Sequence, residues 1–255
     1  MAKRKQQQKE VVDEEFANED IFAQTGNEME YFEFGFNDPL PEDQVILEGI
    51  LTGFLGTNDF DSKGFSTIIA NQAEVGSCVK VMNGDEVQSD ALGISSVVSL
   101  KFHDGKWKAD LAALLSKAAA PAIPDNEHWG VLVSRRAVGI PDTVVRPLYD
   151  SLQQDLEYSR TEYAEDAAMY TYDKIIVVGQ SAIKVGDHGK RANATGDGDV
   201  LYAQTEDSVI IPQCCWSGHV VTGHADEHEY RTHVGLLEMD KYTAVLGMIA
   251  QLFAA

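Results

Sequence analysis

The sequence predicts a mainly β fold: a sandwich, jelly-roll or barrel-like body with a few helical insertions and an extended N-terminal arm. Many short apolar runs are rich in β-branched residues, and turn signals such as Asn83-Gly84 and Asp104-Gly105 separate them. Clear helical stretches are few. The chain of 255 residues is long enough for one large β domain or two small ones.

The arm, residues 1–44, is defined by its charges. Three lysines and one arginine form a basic tip, and twelve acidic residues with no basic ones follow up to residue 45. Such blocks bury too little apolar surface to fold alone, so we expect an interaction tail. Within the arm, Phe32, Phe34 and Phe36 alternate with other residues, which predicts a short strand.

The body, residues 45–255, divides into two strand-rich parts, 45–140 and 170–239, joined by a helical segment. We expect strands over residues 45–55, 65–70, 79–82, 94–102, 129–138, 175–178, 181–185, 200–203, 208–211, 218–222 and 230–239. The first two would form a hairpin around the polar turn 57–64.

Three segments have helical patterns. Residues 108–120 are rich in alanine and leucine and end before Pro121. Residues 151–169 have apolar side chains at rough helical spacing in an acidic stretch. Residues 241–253 place their apolar side chains on one face, which indicates a helix that caps the body or binds a partner.

The segment 214–233 is the strongest candidate for metal chemistry. It contains Cys214 and Cys215 and four of the seven histidines, namely His219, His224, His228 and His233. His224-Ala-Asp-Glu227-His228 matches the H-x-x-E-H pattern of some zinc hydrolases, which requires both histidines on one helical turn. Glycines and β-rich flanks instead predict a hairpin tip, where residues four apart need not share a face. We therefore predict no zinc site.

Two basic pairs, Arg135-Arg136 and Lys190-Arg191, suggest a different kind of site. With the aromatic residues Phe65, Phe102 and Trp107, they resemble the groove of an OB-type single-strand binder. The formal net charge of −21 argues against this interpretation, because it repels phosphate backbones everywhere except at the basic tip.

The remaining motifs are weaker. Asp197-Gly-Asp199 lacks the further oxygen ligands that calcium needs. Cys78, Cys214 and Cys215 are a sparse, odd set, which indicates inert thiols in a reducing compartment. No apolar run approaches the roughly 20 residues of a membrane span, and the start lacks the apolar core of a signal peptide. We expect cytoplasmic synthesis and no membrane span.

These observations favour a structural, self-assembling protein. A virion component, capsid or tail, is the most concrete example, because such subunits contact their neighbours through extended arms. We expect a homo-oligomer or larger assembly held by the arm and the C-terminal helix, with no catalytic, cofactor-binding or metal-binding residues and no enzymatic activity. The alternatives are an OB-type single-stranded nucleic-acid-binding protein and a metal-dependent hydrolase that uses segment 214–233.

Overall fold

The computed structural model describes residues 33–186, 190–191, 200–225 and 227–254, and within them a mixed sheet separates two helical layers. The strand order is β1-β2-β4-β5-β6-β10-β9, with β3 added to β2 and with β7 and β8 added to β6. The strands are β1 Glu33–Asn37, β2 Ser77–Asn83, β3 Glu86–Val87, β4 Gly93–Ser99, β5 Trp129–Arg136, β6 Lys174–Gly186, β7 Lys190–Arg191, β8 Val200–Tyr202, β9 Trp216–Ala225 and β10 His228–Glu238.

Alternating residues of the central strands belong to two separate cores. The helices are α1 Gln44–Leu51, α2 Ser62–Ala70, α3 Lys106–Lys117, α4 Val145–Glu162, α5 Asp207–Ile210 and α6 Tyr242–Leu252. Val131 and Ile176 face the core under α1, α2 and α3, while Leu132 and Ile175 face the core under α4 and α6.

The prediction of a sandwich, jelly roll or barrel is therefore wrong. The sheet is open, and helices cover both of its faces. Strands β5 and β6 pair in parallel, and α4 lies in the connection between them. A parallel pair needs a long crossover, so the helical segment that seemed to join two β-rich parts is the crossover inside a single sheet.

The predicted hairpin 45–55/65–70 is also wrong, because both segments are helical. In α1 the buried residues Leu47 and Leu51 are four apart, as are Phe65 and Ile69 in α2. Asp61, assigned to the turn, caps α2 by accepting a hydrogen bond from the backbone N–H of Gly64 at 3.0 Å. The β-branched content of these segments suggested strands, but the spacing of their large apolar side chains is helical.

The predicted strand 208–211 is wrong as well, because the short helix α5 occupies it and buries Ile210. Most other predicted elements are confirmed with shifted ends. Helix α3, the long helix α4 and the C-terminal helix α6 correspond to the three helical patterns.

The described part of the predicted arm is integrated into the chain's own fold. Strand β1 pairs antiparallel with β2, which confirms the strand expected at Phe34 and Phe36. Asp43 forms a buried ion pair with Lys80 at 2.7 Å. The charge-segregated part before β1 lies outside the described residues.

Candidate binding cleft and the junction of two parallel strands

The parallel strands β5 and β6 pair only over the first three residues of each strand and then separate. Farther along, β8 replaces β5 as the neighbour of β6. The side chain of Arg135 spans the gap between the separated strands, because its Nη2 donates to the carbonyl oxygen of Val178 at 3.0 Å. The next outward carbonyl, that of Gln180, accepts from the backbone N–H of Ala203 at 2.8 Å. Beyond the point where β5 and β6 separate, the carbonyl groups of β6 therefore accept hydrogen bonds that do not belong to the β5–β6 ladder.

A buried ion pair holds the same junction on the other face of the sheet. Arg136 donates from Nη1 to Oε1 of Glu206 and from Nη2 to Oδ1 of Asp142, both at 2.6 Å. The Glu206 side chain has no exposed surface, and that of Arg136 is 8% exposed. Charges this far from water remain in the folded state only when they are paired.

Asp207 lies beside this ion pair and over the backbone of β6. A methyl group on Gly179 would lie 2.7 Å from Oδ2 of Asp207, so only glycine permits this close approach. Burial raises the pKa of Asp207 to about 7, and the nearby Glu206 carboxylate adds to the rise, while Arg135 and Arg136 oppose it. Asp207 therefore holds its proton through most of the acidic range.

These contacts are incompatible with the alternative interpretation of a nucleic-acid-binding groove. Arg135 and Arg136 are committed to the strand junction and do not line a surface groove. Phe65 and Trp107 are buried in one core, with ring centroids 5.0 Å apart. Phe102 lies elsewhere, edge-on to a buried histidine. Lys190 and Arg191 form the short strand β7.

A separate cleft of about 460 Å³ opens between α2 and the 3-10 helix Ala164–Tyr170 that follows α4. We call it the Glu74 cleft, because Glu74 is the one carboxylate among the described residues that line it, and there is no lysine or arginine among them. The rest of the lining is aromatic or apolar (Ile68, Met169, Tyr170, Tyr172) and polar (Thr67, Asn71, Gln72, Ser99, His103).

Tyr170, one of the lining residues, has negatively charged neighbours. Partial burial raises the pKa of the Tyr170 hydroxyl, and the charges of Glu74 and Asp166 add to the rise. The Tyr163 ring lies beside that of Tyr170, with centroids 6.1 Å apart, although neither Tyr163 nor Asp166 lines the cleft itself. Glu74 and Asp166 therefore make the surroundings of Tyr170 acidic.

The floor of the cleft is a fixed polar chain. Ser99 Oγ lies 2.6 Å from Nε2 of His128, whose Nδ1 lies 2.7 Å from the carbonyl oxygen of Thr171. Burial lowers the pKa of His128, and the Thr171 hydrogen bond only partly opposes this. The Ser99 hydroxyl also accepts the backbone N–H groups of Lys101 and Phe102 at 3.1 Å, so it closes a turn at the end of β4.

The histidines of segment 214–233 occupy the hairpin of β9 and β10, as the glycines and β-rich flanks predicted. His224 and His228 lie on different strands, and His224 faces Glu229 at 3.5 Å. The rings of His219 and His233 are 5.7 Å apart. Burial lowers the pKa of His233 to about 4, with smaller contributions from His219 and Arg231. These four histidines do not converge on a common point.

The other predicted sites give no ligand set. Within the described ranges, no group of three or more histidine, cysteine, aspartate or glutamate side chains is arranged to hold a metal ion. Asp197 and Asp199 lie outside the described residues. Within the described residues, Cys78, Cys214 and Cys215 form no disulfide. No helix in the described part of the chain has the length and apolar character of a membrane span.

A family model described as BCCIP matches residues 31–210, which is more than half of the chain. This chain belongs to the BCCIP family. The crystal structure of BCP1 from Saccharomyces cerevisiae resembles this BCCIP-family chain with a TM-score of 0.58 at 16% identity, over 87% of this chain and 89% of that one. The two proteins therefore share a fold.

Two relatives of this BCCIP-family chain come from a plant and a fungus. "Protein BCCIP homolog" of Arabidopsis thaliana is 24% identical over 219 residues, and the match covers 80% of this chain. It spans 64% of the Arabidopsis protein, less than two thirds of its length. "Protein BCP1" of Gibberella zeae is 22% identical over 216 residues, or 78% of this chain and 72% of that protein.

The prediction of a virion component, and of a virion location, is therefore wrong, because this family consists of cellular proteins. Neither alternative, the OB-type binder or the metal-dependent hydrolase, is supported by the family. Membership of the BCCIP family is consistent with the prediction that the chain is not an enzyme. Assembly through the arm and the C-terminal helix stays a prediction.

Sequence reasoning did not find the Glu74 cleft. A usable signal was present, since the run Met169-Tyr-Thr-Tyr172 comes two residues after the acidic stretch Glu162–Asp166. The prediction ended an amphipathic helix at Met169 and began the second strand-rich part at residue 170. In the structure, Met169 and Tyr170 end the 3-10 helix Ala164–Tyr170, and Tyr170 and Tyr172 line the cleft.

The buried ion pair of the strand junction gives a stability prediction. We expect Arg136→Ala to lower the free energy of unfolding by about 3–5 kcal/mol, because it leaves the Glu206 carboxylate buried without its main partner. The measurement is urea unfolding. The double variant Arg136→Met/Glu206→Leu should recover much of this loss. Asp104→Asn, in a pair whose aspartate is 96% exposed, is the control and should leave the urea midpoint unchanged. Equal effects of Arg136→Ala and Asp104→Asn on the urea midpoint would contradict the conclusion that the buried ion pair stabilises the fold.

The pKa of Asp207 predicts how stability changes with pH. Between about pH 4 and about pH 7 the unfolded chain releases this proton while the folded chain keeps it, so this group lowers stability as pH rises through that window. We expect the stability of Asp207→Asn, relative to the parent, to increase across the same window by up to about 4 kcal/mol. Urea unfolding at a series of pH values measures it. A difference that stays constant with pH would show that Asp207 has an ordinary pKa.

Proposed function

We propose that this chain is a non-enzymatic, chaperone-like partner protein that binds a basic segment of another protein, and that the Glu74 cleft holds a cationic side chain of that segment. The observation that carries the proposal is the cleft itself, where the described lining combines two tyrosine rings with the Glu74 carboxylate and includes no lysine or arginine. Family membership supports the non-enzymatic part of the proposal.

Net charge supports the kind of partner. A chain with a formal charge of −21 attracts cationic molecules over long range and repels nucleic-acid backbones. Such a field accelerates encounter with basic partners but does not select among them. Selectivity needs a local site with defined chemistry.

The Glu74 cleft has the chemistry that such a site needs. A lysine ammonium or an arginine guanidinium gains about 0.5–2 kcal/mol over an aromatic face, depending on its desolvation. Tyr170 offers such a face in the cleft and Glu74 offers negative charge, to which Asp166 beside Tyr170 adds. The cleft volume of about 460 Å³ is in the range of small-ligand sites, which is enough for a long cationic side chain.

The serine and histidine in the cleft floor do not support hydrolysis. Ser99 is 2% exposed, and its hydroxyl already receives two backbone N–H groups. The partner of His128 Nδ1 is a backbone carbonyl, whereas a catalytic histidine is usually oriented by a carboxylate. The chain Ser99–His128–Thr171 fixes the floor on which Tyr172 packs.

The test is binding of a short fluorescent peptide of repeated Lys-Gly-Ser, followed by fluorescence anisotropy. We expect binding that weakens with added salt. Glu74→Gln and Tyr170→Ala should each weaken it by about 5- to 10-fold, because each removes one interaction with the cation. Tyr170→Phe keeps the aromatic face and should bind like the parent.

The matched control is Glu86→Gln on the exposed strand β3, which makes the same charge change away from the cleft. It should have little effect. If Glu86→Gln and Glu74→Gln weaken the peptide equally, the attraction is a property of the whole charge and the cleft is not the site. No binding at low salt would contradict the proposed function itself.

A further inference from the structure

The strand β9 forms one end of the sheet. Its ten residues, Trp216–Ala225, include no aspartate, glutamate, lysine, arginine or proline. Natural sheets commonly protect their terminal strands with charges or proline, because an accessible edge can pair with another chain. In a chain with a net charge of −21, an uncharged terminal strand of this length stands out.

Apolar side chains are exposed on both faces of the sheet near this edge. Val221 of β9 is 44% exposed, and Tyr230 of the adjacent β10 is 43% exposed. A strand added beside β9 could therefore pack alternate side chains on either face.

The rest of β9 is anchored within the chain. Trp216 and Val220 pack against the core beneath α1, α2 and α3. At Gly218 the loop after α3 lies so close that an added methyl group would be 2.9 Å from the carbonyl oxygen of Ala118. The strand is thus held rigidly by one face and by β10, which preorganises its outer edge.

Charge decides between two possible occupants of this edge. A second copy of the chain would bring another −21 charges, and the two copies would repel each other. A positively charged segment would be attracted, and the absence of lysine and arginine from β9 removes local repulsion. We propose that the outer edge of β9 binds an extended strand of a basic partner protein by β-strand addition. This proposal rests on the proposed function only for the charge of the partner.

The probe is a short peptide that alternates lysine with valine, compared with the Lys-Gly-Ser peptide used for the cleft. A third peptide has the lysine–valine sequence with every second backbone nitrogen methylated, which keeps the charge but removes the amides needed for a ladder. We expect the unmethylated lysine–valine peptide to slow hydrogen exchange of β9 amides. Methylation should weaken its binding by at least about tenfold, since several backbone hydrogen bonds are lost.

A pair of variants tests the edge from the protein side. Val221→Lys places a positive charge on the terminal strand and should weaken the lysine–valine peptide, whereas Val221→Thr keeps a neutral β-branched residue and should not. Neither variant should alter binding of the Lys-Gly-Ser peptide to the Glu74 cleft. Hydrogen exchange of β10 amides checks that both variants retain the hairpin.

Each other outcome overturns the inference in a recognisable way. If both lysine–valine peptides bind equally and β9 amides are not protected, the edge does not add a strand, while the proposed function stands. If β9 amides become protected with rising protein concentration in the absence of peptide, the occupant is a second copy. If none of the peptides binds, the inference fails together with the proposed function.

Discussion

The separation of β5 from β6 leaves backbone hydrogen bonds of the sheet that other groups must complete. Two parallel strands that stay paired complete each other's hydrogen bonds, but here pairing stops after three residues. Beyond these three residues, other groups must donate to the backbone carbonyls, since buried carbonyls without donors are costly. Arg135 supplies one donor, and the segment carrying Glu206 and Asp207 comes down over the other face, where Arg136 holds it. Arg135 and Arg136 are consecutive residues on opposite faces of β5, and both stabilise the junction where β5 and β6 separate.

This arrangement determines where binding can occur. Because β8 takes the place of β5, the distal half of β6 belongs to a four-stranded unit, β8-β6-β10-β9, whose faces include the exposed Leu201 and Tyr230. The Glu74 cleft lies at α2 and the turn after α4, away from the junction residues, and its floor begins at the end of β4. Arg135 and Arg136 are therefore used for folding, whereas the described lining of the Glu74 cleft and the strand β9 include no lysine or arginine.

The sequence predicted individual elements better than their arrangement. Strands β2, β5, β9 and β10 and helices α3 and α6 follow from short-range patterns, and the histidine hairpin followed from its glycines. Helix α1 was misread because its β-branched residues suit a strand, while the spacing of Leu47 and Leu51 is what burial against the sheet requires. Parallel pairing of β5 with β6 depends on contacts more than 40 residues apart, as Val131 and Ile176 illustrate, and no local pattern encodes it. The pairing of Arg136 with Glu206 could not be predicted for the same reason, because the two residues are 70 positions apart in the sequence.

Charge, cleft and edge have different physical roles, and their combination explains why a large acid surplus need not make binding indiscriminate. The field of −21 charges acts at a distance and is screened by salt, so it governs encounter more than selection. In the proposed function, the Glu74 cleft selects one cationic side chain, because the ring faces must be reached and desolvated. A strand edge selects backbone conformation, since only an extended segment can use its hydrogen bonds. A basic segment that satisfies both local conditions would be distinguished from other cations by geometry, even though all of them are attracted by the same field.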